Sequence, residues 1–367
     1  MASIKRRSLG DGSRRYDVVY RDPENRQRRK TFTRKVDAER FATTTEADKL
    51  RGSYIDHSDR TTVTEYARQW AAARPHRPST ERRVTSLIDT HIAGTRLGGR
   101  RLAAVLPSEV QSWASDRGRV LAPSTLRNLV SLLRSIYASA VLDRLVASSP
   151  VVRVQLPRHE RERVVPLTVA QVRALADAMP ARNRAMVLTQ AGLGLRIGEL
   201  LALRARDVDF LRRTARVEHQ IAPGAKVRSD PKTPRSRRTL PLPQVVADAL
   251  AEHMRTFPPA DDGSLFTTRF GDPYRHDYYG SIIFSAAVEA AGLPKVTSHD
   301  LRHHFASVLL AAGESVVAVA ERLGHENAAL VLTTYGHLMP DSEEATRRAI
   351  DAAWCDISVT LAGKKAL

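Results

Sequence analysis

The sequence contains little lysine, almost no cysteine and no long apolar run. Nine of its 58 basic residues are lysine, and none lies between Lys49 and Lys226. The single cysteine, Cys355, excludes an intrachain disulfide and fits a reducing cytosol. No apolar run approaches the ~20 residues that a membrane span needs, and the first residues lack the apolar core of a signal peptide. We therefore expect a cytoplasmic protein without a membrane partner.

Several motifs that carry chemistry are missing as well. The sequence has no G-x-x-x-x-G-K-[ST] loop for nucleotide phosphates, no Cys/His spacing typical of zinc sites and no carboxylate cluster of the two-metal type. These absences argue against ATP use, a structural zinc and two-metal hydrolysis. We expect neither a cofactor nor a metal.

The abundant feature is positive charge. The 367 residues include 58 Lys and Arg against 40 Asp and Glu, a formal net charge of +18. A field of that sign favours a polyanionic partner, and nucleic acid is the first choice, with a merely solvated basic surface as the alternative. Because 42% of the residues are hydrophobic, the chain can bury real cores, and its length predicts two or three domains.

Residues 1–58 are predicted to form a small α+β domain that binds DNA. Residues 1–35 hold 12 Lys or Arg and four Asp or Glu. Short alternating stretches at 16–20 and 29–32 flank a turn-rich segment, which indicates a β-ribbon, and a helix over 35–50 follows. A small basic sheet can lie in a DNA groove, although a charged, loosely ordered tail is the alternative. The candidate DNA contacts are Arg14, Arg15, Arg28, Arg29 and Lys30.

Residues 60–157 are predicted to form an all-α domain. A long helix opens at Pro123, and its apolar residues recur at helical spacing, which predicts a buried stripe. Ser108 and Gln111 have the spacing of a capping box at the start of another helix. The candidate phosphate contacts off the stripe are Arg127 and Arg134, although an arginine at either position alone is more often simply solvated.

Residues 165–354 are predicted to be mainly α-helical with a small antiparallel β-sheet, after a charged linker at 158–163 and before a tail to residue 367. Thr168 and Gln171 again have capping-box spacing. Alternating stretches within 208–219 flank a turn, as the strands of a hairpin do, and residues 237–242 supply a third stretch. The sequence as a whole therefore predicts a multidomain protein.

Five short motifs follow one another in this last region. They are GLRIGEL from Gly194, PKT from Pro231 with SRRTLPL from Ser236, HDLRH from His299, LGH from Leu323 and TTYGH from Thr333. Each motif alone is weak, but the five in this order and spacing resemble the tyrosine recombinase (phage integrase) family over about residues 165–354. The resemblance implies a site-specific recombinase that cuts and rejoins DNA through a covalent 3′-phosphotyrosine, to integrate or excise a phage or mobile element.

The resemblance also implies a role for each reactive side chain. Tyr335 would be the nucleophile, a phenol with a pKa near ~10 whose proton must be withdrawn before it attacks. Arg196 and Arg302 would clamp the scissile phosphate, because guanidinium forks match phosphate oxygens and stay charged. His325 would donate a further hydrogen bond to the developing charge, and His299 would be the base or a hydrogen-bond partner.

Lys232 and Glu199 complete the implied site. Lys232 resembles the family's general acid for the leaving 5′ oxygen, carried on a hairpin turn. A lysine kept in an arginine-rich chain supports this role, since arginine is a reluctant proton donor. Lys226 is the rival acid. Glu199, one helical turn from Arg196, would orient the clamp.

Simpler interpretations stay open at single positions. Arg196 and Glu199 could form an ordinary surface ion pair. The neighbouring histidines His303, His304 and His337 are interpreted as surface or structural residues.

The family plan implies an arrangement and partners. An N-terminal arm-type DNA-binding domain would precede a helical core-binding (SAM-like) domain and the catalytic domain. The partners would be double-stranded DNA attachment sites, a homotetramer on DNA during synapsis, and an accessory DNA-bending or directionality factor. The basic ribbon favours a phage or mobile-element integrase over the Xer-type resolvases. A type IB topoisomerase and a DNA-binding protein that retains an inactive catalytic fold are the alternatives.

The tail after Tyr335 is predicted to be an assembly element. A helix opening near Ser342 would present a face of small and apolar residues. These are Ala345, Ala349, Ala352, Ala353 and Trp354. Docking on a neighbouring protomer and docking on its own domain are equally open.

Overall fold

The computed structural model describes residues 2–9, 13–51, 54–56, 59–158, 163–231, 233–339, 343, 346–348 and 350–354. The chain divides into two compact units, Met1–Arg161 and Glu162–Leu367. The boundary lies inside the charged run at 158–163 that the sequence predicts as a linker. The finer division of the first unit near residues 58–60 stays a prediction.

The N-terminal unit begins with an antiparallel sheet that is covered on one face by a helix. Its elements are β1 (Ser3–Ser8), β2 (Arg14–Arg21), β3 (Gln27–Phe32) and α1 (Lys35–Leu50), with the strands in the order β1-β2-β3. Val18, Tyr20 and Ala38 are buried between sheet and helix. The predicted ribbon and helix are confirmed. The sequence pattern does not reveal β1, because all of its residues are exposed and show no apolar alternation.

Four α-helices follow among the described residues of this unit. They are α2 (Val63–Ala72), α3 (Pro78–His91), α4 (Pro107–Gly118) and α5 (Pro123–Leu142). Every residue of the predicted stripe on α5 is buried, from Leu126 to Ala140. The stripe packs with Trp70 of α2 and Trp113 of α4 in a core separate from that of the sheet.

The start of α4 differs from the prediction. The helix begins at Pro107, and the Glu109 carboxylate accepts a hydrogen bond from the Leu106 backbone N–H at 3.0 Å. Proline is favoured at this first helical position. The predicted cap, Ser108 with Gln111, is therefore wrong. Ser108 lies inside the first turn, and the Gln111 side chain instead bonds the backbone of residue 155.

The C-terminal unit is mainly helical. Its helices are α6 (Val169–Ala178), α7 (Ala181–Leu193), α8 (Ile197–Ala202), α9 (Gln244–Thr256), α10 (His276–Tyr278), α11 (Ser285–Ala290), α12 (Ser298–Ala311), α13 (Val316–Leu323) and α14 (Ala329–Tyr335). A π-helical segment, Tyr279–Phe284, joins α10 to α11. The predicted capping box of α6 is confirmed, because Thr168 and Gln171 exchange side-chain and backbone hydrogen bonds at 2.8 and 3.2 Å.

Two small antiparallel sheets accompany these helices. Their strands are β4 (Val208–Asp209), β5 (Thr214–Val217) and β8 (Arg238–Pro241) in the order β4-β5-β8, and β6 (Gln220–Ile221) paired with β7 (Arg228–Ser229). The predicted hairpin and third strand are confirmed. Lys232 belongs to the connection between β7 and β8 but lies outside the described residues.

Helices α12, α13 and α14 share a small core of their own. Leu323, Val331 and Tyr335 are buried together in it, so the predicted nucleophile packs beside the end of α13. Of the predicted tail face, Ala345 and Ala349 lie outside the described residues, whereas Trp354 is helical and exposed. Across the part of the chain that the structure describes, no helix is long and apolar enough to cross a membrane.

Candidate active site

Three arginines meet at the C-terminal end of α13. They donate to three consecutive carbonyls: Arg238 Nε to Arg322 at 2.7 Å, Arg302 Nη2 to Leu323 at 2.5 Å and Arg196 Nη2 to Gly324 at 3.1 Å. The last carbonyls of a helix lack intrahelical donors and carry the negative end of the helix dipole, so they are good acceptors for cations. The three side chains come from β8, α12 and the residue before α8. One helical turn therefore holds three separate elements together.

Arg302 is fully buried at this junction. Its Nη1 donates to the Gly194 carbonyl at 2.6 Å, so this side chain joins the end of α7 to the end of α13. Burial lowers the pKa of the guanidinium, and the nearby Arg196 acts in the same direction. Arginine nevertheless stays charged in proteins. A buried cation that is held by carbonyls beside two further guanidiniums is well placed to bind an anion.

Glu199 links two of the arginines. Its Oε1 lies 2.9 Å from Arg196 Nη1, and its Oε2 lies 2.8 Å from Arg238 Nη2. It also accepts a hydrogen bond from the Arg196 backbone N–H at 3.0 Å, at the start of α8. Burial alone would raise the pKa of Glu199, but its pairing with Arg238 and Arg196 outweighs burial and keeps the pKa below its usual range. This carboxylate therefore stays charged and orients both guanidiniums.

The sequence motifs contain Arg238 but do not single it out as a site residue. Its side chain is 7% exposed, whereas that of the adjacent Arg237 is 57% exposed and pairs with Asp230. Strand alternation is the signal that could have separated the two, because consecutive residues of an extended stretch point to opposite faces, and Arg238 shares a face with the buried Leu240.

Glycine is required at two positions whose backbone carbonyls accept hydrogen bonds from the site arginines. Gly194 and Gly324 end α7 and α13 with φ of +61° and +63°, a left-handed conformation that favours glycine. A Cβ at Gly194 would lie 2.4 Å from the Phe305 ring, and a Cβ at Gly324 would lie 3.0 Å from Arg238 Nη1. Both carbonyls that these glycines present accept hydrogen bonds from site arginines.

His325 follows the shared turn directly. Its backbone N–H closes the end of α13 on the Ala320 carbonyl at 2.9 Å. Its Nδ1 is buried and has no hydrogen-bond partner among the described residues. Burial, reinforced by Arg302 and Arg196, lowers the pKa of the ring to about 4. The imidazole is therefore neutral at pH 7 and can donate a hydrogen bond to an oxygen of a bound phosphate.

Tyr335 is the last residue of α14 and is 2% exposed. Its hydroxyl lies 2.6 Å from His303 Nδ1, and the two rings meet at 62° with their centroids 5.5 Å apart. Burial raises the pKa of Tyr335, while Arg302 opposes that rise. The hydroxyl is thus protonated at neutral pH and lies within the electrostatic reach of the arginine cluster.

His299 stands one turn before His303 on α12. Its ring centroid lies 4.7 Å from that of His303, with the rings at 81°. Partial desolvation lowers the pKa of His299, and His303 and Arg302 act in the same direction. His299 is thus beside the site, but the histidine that bonds the tyrosine is His303, which the sequence predicts to be a surface or structural residue.

The other candidate residues are less connected. Lys232 lies outside the described residues, and its rival Lys226 is exposed in the loop between β6 and β7. His304 Nδ1 bonds the Leu167 carbonyl at 2.7 Å, and His337 Nε2 bonds the Val164 carbonyl at 3.0 Å, so both are structural, as one interpretation predicted. Among the residues that the structure describes, no group of three His, Cys, Asp or Glu side chains is placed to share a metal ion.

Comparison with known sequences identifies the family. The sequence profile of the Phage integrase family matches residues 161–341. Over 334 residues the chain is 30% identical to the prophage phiRv2 integrase of Mycobacterium tuberculosis, a match that covers 87% of this chain and 88% of that protein. The chain belongs to the phage integrase family of tyrosine recombinases. It is therefore a site-specific recombinase, an enzyme that breaks and rejoins DNA.

Solved structures share the fold of this integrase. The Tn1549 transposon integrase, solved in complex with circular intermediate DNA, is 26% identical with a TM-score of 0.69, over 79% of this chain and 100% of that one. Lambda integrase, solved as a tetramer bound to a Holliday junction, matches with a TM-score of 0.61 at 16% identity, over 89% of this chain and 94% of that one.

The N-terminal sheet of the integrase divides its basic residues between two faces. Arg29 lies opposite Val19 and Arg15 opposite Arg7, so both project from the face away from α1. Lys30 lies opposite the buried Val18, on the α1 face, where its Nζ lies 4.5 Å from the centroid of the Phe41 ring. The sequence could not separate these neighbours without the register.

The remaining candidate DNA contacts of the integrase differ in their surroundings. Arg28 lies on the α1 face between two carboxylates, with Nε 3.1 Å from Asp22 Oδ2 and Nη2 2.5 Å from Asp56 Oδ2. Arg14 is exposed at the end of β2. On α5, Arg127 Nη2 donates to the Pro157 carbonyl at 3.2 Å, and Arg134 is exposed.

Proposed function

We propose that this integrase cleaves DNA by attack of Tyr335 on a phosphate held by Arg196, Arg302 and His325. The observation that carries the proposal is the arginine cluster at the end of α13, with the buried Tyr335 hydroxyl packed beside it. In-line attack forms the bond between phosphorus and Tyr335 Oη and breaks the bond to the 5′ oxygen. Because the phosphotyrosine conserves the bond energy, the strand can be rejoined without ATP.

The charges of the site suit a phosphodiester. Three guanidiniums and the Glu199 carboxylate give a formal charge of +2, since His325 is neutral at pH 7. A phosphodiester carries one negative charge in the ground state and gains charge on its non-bridging oxygens in the transition state. Donors that are fixed before the reaction stabilise that added charge without reorganising.

We propose that Lys232 is the general acid that protonates the leaving 5′ oxygen. The assignment rests on the family-like context of this lysine, before the 236–242 motif and on the connection that leads into β8. Arg238 of that strand is anchored on the turn that ends α13, which supports a position of the β7–β8 connection near the scissile phosphate. Lys226 remains the rival acid.

We further propose that DNA is bound by three regions of the chain. The N-terminal sheet would contact an arm-type site through its open face with Arg15 and Arg29, since basic strands can lie in a groove. The helices over 60–157 and the catalytic region 165–354 would hold the core site. The Tn1549 transposon integrase, solved with DNA at 26% identity, supports this assignment of the last two regions.

Assembly follows the same plan in this proposal. Four copies would act on DNA attachment sites during synapsis, as the tetramer of lambda integrase on a Holliday junction suggests. An accessory DNA-bending or directionality factor would set the outcome. The tail after Tyr335 would dock on a neighbouring protomer or on its own domain. The protein would work on DNA in the cytoplasm of a bacterial host.

Covalent trapping tests the assignment of the nucleophile. The full chain is incubated with a pool of nicked duplexes of randomised sequence, so that the cleaved strand is lost and the adduct accumulates. Adducts that survive denaturant are recovered and their DNA is sequenced, and one duplex is selected from these sequences for the later assays. We expect Tyr335→Phe to abolish the adduct while keeping affinity for that duplex within a few fold, because phosphate contacts do not need this hydroxyl.

Tyr278→Phe is the matched control for this test. Tyr278 is an exposed tyrosine of the same unit, and its Phe variant should cleave like wild type. A Tyr335→Phe protein that still forms the adduct would show that another residue is the nucleophile.

A further inference from the structure

Two histidines stand one turn apart on α12, and they meet Tyr335 differently. His303 Nδ1 lies 2.6 Å from the Tyr335 hydroxyl, while His299 packs its ring against the ring of His303. Among the hydrogen bonds of the described residues, His303 is the partner of this hydroxyl. The histidine that directly follows Arg302 is therefore the one that contacts the reacting oxygen.

The direction of this hydrogen bond follows from burial. The Tyr335 hydroxyl is buried and protonated, so its O–H needs an acceptor. Burial lowers the pKa of His303, which leaves the ring neutral with a lone pair on one nitrogen. The contact satisfies both groups when Tyr335 donates to Nδ1 and the ring proton sits on Nε2. This is the protonation state that a base needs before the reaction.

We propose that His303 is the catalytic base that takes the proton of Tyr335. The proposal rests on Tyr335 being the nucleophile. As Tyr335 Oη bonds to phosphorus and the 5′ oxygen leaves, the phenolic proton moves to His303 Nδ1, and the 5′ oxygen receives a proton from the general acid. Rejoining reverses both transfers: the 5′ hydroxyl attacks, Tyr335 leaves, and His303 returns the proton to it.

The surroundings of His303 fit a ring that becomes charged only briefly. Asp300, on the same helix, favours the imidazolium, whereas burial and Arg302 disfavour it. A base whose charged form is held this weakly gives the proton back when the strand is rejoined. The ring of His299 packs against the ring of His303, which suits a residue that positions the base.

The test distinguishes two roles of His303, which are to accept a hydrogen bond from the Tyr335 hydroxyl and to accept its proton. In His303→Asn the amide oxygen can take the place of Nδ1 as an acceptor, but it is not a base. The same change at His299 is the matched control. Each variant and the wild type are prepared with tyrosine or with 3,5-difluorotyrosine, a more acidic phenol, at position 335. Single-turnover cleavage of the selected nicked duplex is measured for all six proteins.

We expect His303→Asn to slow cleavage by about 10²-fold or more, within the usual range for general base catalysis. Difluorotyrosine should restore at least ~10-fold of that loss, because an acidic phenol needs its base less. It should give neither the wild type nor His299→Asn a comparable gain. Affinity for the duplex should stay unchanged in His303→Asn, since its phosphate contacts are intact.

A second variant keeps the proposal testable if His303→Asn folds poorly. His303→Ala leaves space for a small base, and imidazole added to the solution should raise its cleavage rate in proportion to concentration while leaving the wild type unchanged.

Three results would overturn the proposal. They are wild-type cleavage by His303→Asn, an equal gain from difluorotyrosine in all three backgrounds, and a gain confined to His299→Asn, which would make His299 the base. Failure of the proposed function looks different, because an adduct would then persist in Tyr335→Phe.

Discussion

The N-terminal sheet and the turn that ends α13 both depend on arginine, yet they hold it in opposite ways. On the sheet, Arg29 is exposed on an open face, and its charge reaches the solvent. At the α13 turn, Arg196, Arg238 and Arg302 are fixed by backbone carbonyls and by Glu199. An exposed arginine attracts any phosphate and gives salt-dependent affinity. A fixed arginine stabilises one phosphate at one place, which is what catalysis requires.

Among the substitutions that test this comparison, Lys232→Ala should have the largest effect on the rate of DNA cleavage. General acid catalysis is typically worth ~10²–10⁴ in rate, so cleavage of ordinary DNA should slow by that factor with little loss of affinity. A substrate with sulfur at the bridging 5′ position has a leaving group that needs little protonation, and on it the variant should recover most of the lost rate. Single-turnover rates on the two substrates give the ratio.

Arg196→Ala is the comparison for this prediction. Its loss should persist on the sulfur substrate, because a clamp acts on the non-bridging oxygens. If Lys232→Ala gains no more from sulfur than the wild type does, Lys232 is a phosphate contact and Lys226 becomes the candidate acid.

Arg238→Met should have the next largest effect, on stability as well as cleavage. Removing one partner of a buried ion pair leaves a carboxylate that is poorly compensated, which typically costs about 3 kcal/mol of the free energy of unfolding. The neighbouring Arg237→Met removes the same charge from an exposed pair and should cost less than about 1 kcal/mol. Denaturant unfolding measures both, and equal costs would refute the distinction between held and exposed arginines.

Arg15→Gln combined with Arg29→Gln should have the smallest effect. Each phosphate contact contributes about 0.9 to the slope of log affinity against log salt, so the slope should fall by up to ~2 while cleavage of the selected duplex changes little. Lys30→Gln combined with Arg14→Gln removes the same charge from the sheet but spares the open face. The DNA affinity of each double variant is titrated at several salt concentrations. An equal fall in the slope for both double variants would contradict the proposal that DNA contacts the open face of the sheet.

The parts of the fold that follow local periodicity could be predicted from the sequence. The stripe of α5 and the cap of α6 each depend on residues within a few positions of one another. The cap of α4 could not be predicted, because Glu109 and Gln111 compete for the same role and only the backbone path decides between them. Strand β1 was equally hidden, since an exposed strand leaves no alternation to detect.

The candidate site shows the same limit over longer distances. The five motifs identify Arg196, Arg302 and His325 because each residue lies in a recognisable local pattern. Which histidine of α12 meets Tyr335 depends on where α14 packs, 32 residues further along the chain. Strand alternation could separate Arg238 from Arg237, but the burial of Arg238 depends on contacts with α8 and α13, which lie far away in the sequence.

The single turn at the end of α13 has a consequence for how the enzyme can be switched. Because carbonyls 322, 323 and 324 each anchor a different arginine, a displacement of this turn moves all three anchors by the same vector. The three hydrogen bonds to this turn would therefore change together, although Glu199 and the Gly194 carbonyl also hold the arginines. Anything that moves the end of α13 would therefore act on the whole cluster at once, as a single lever and not as three separate adjustments.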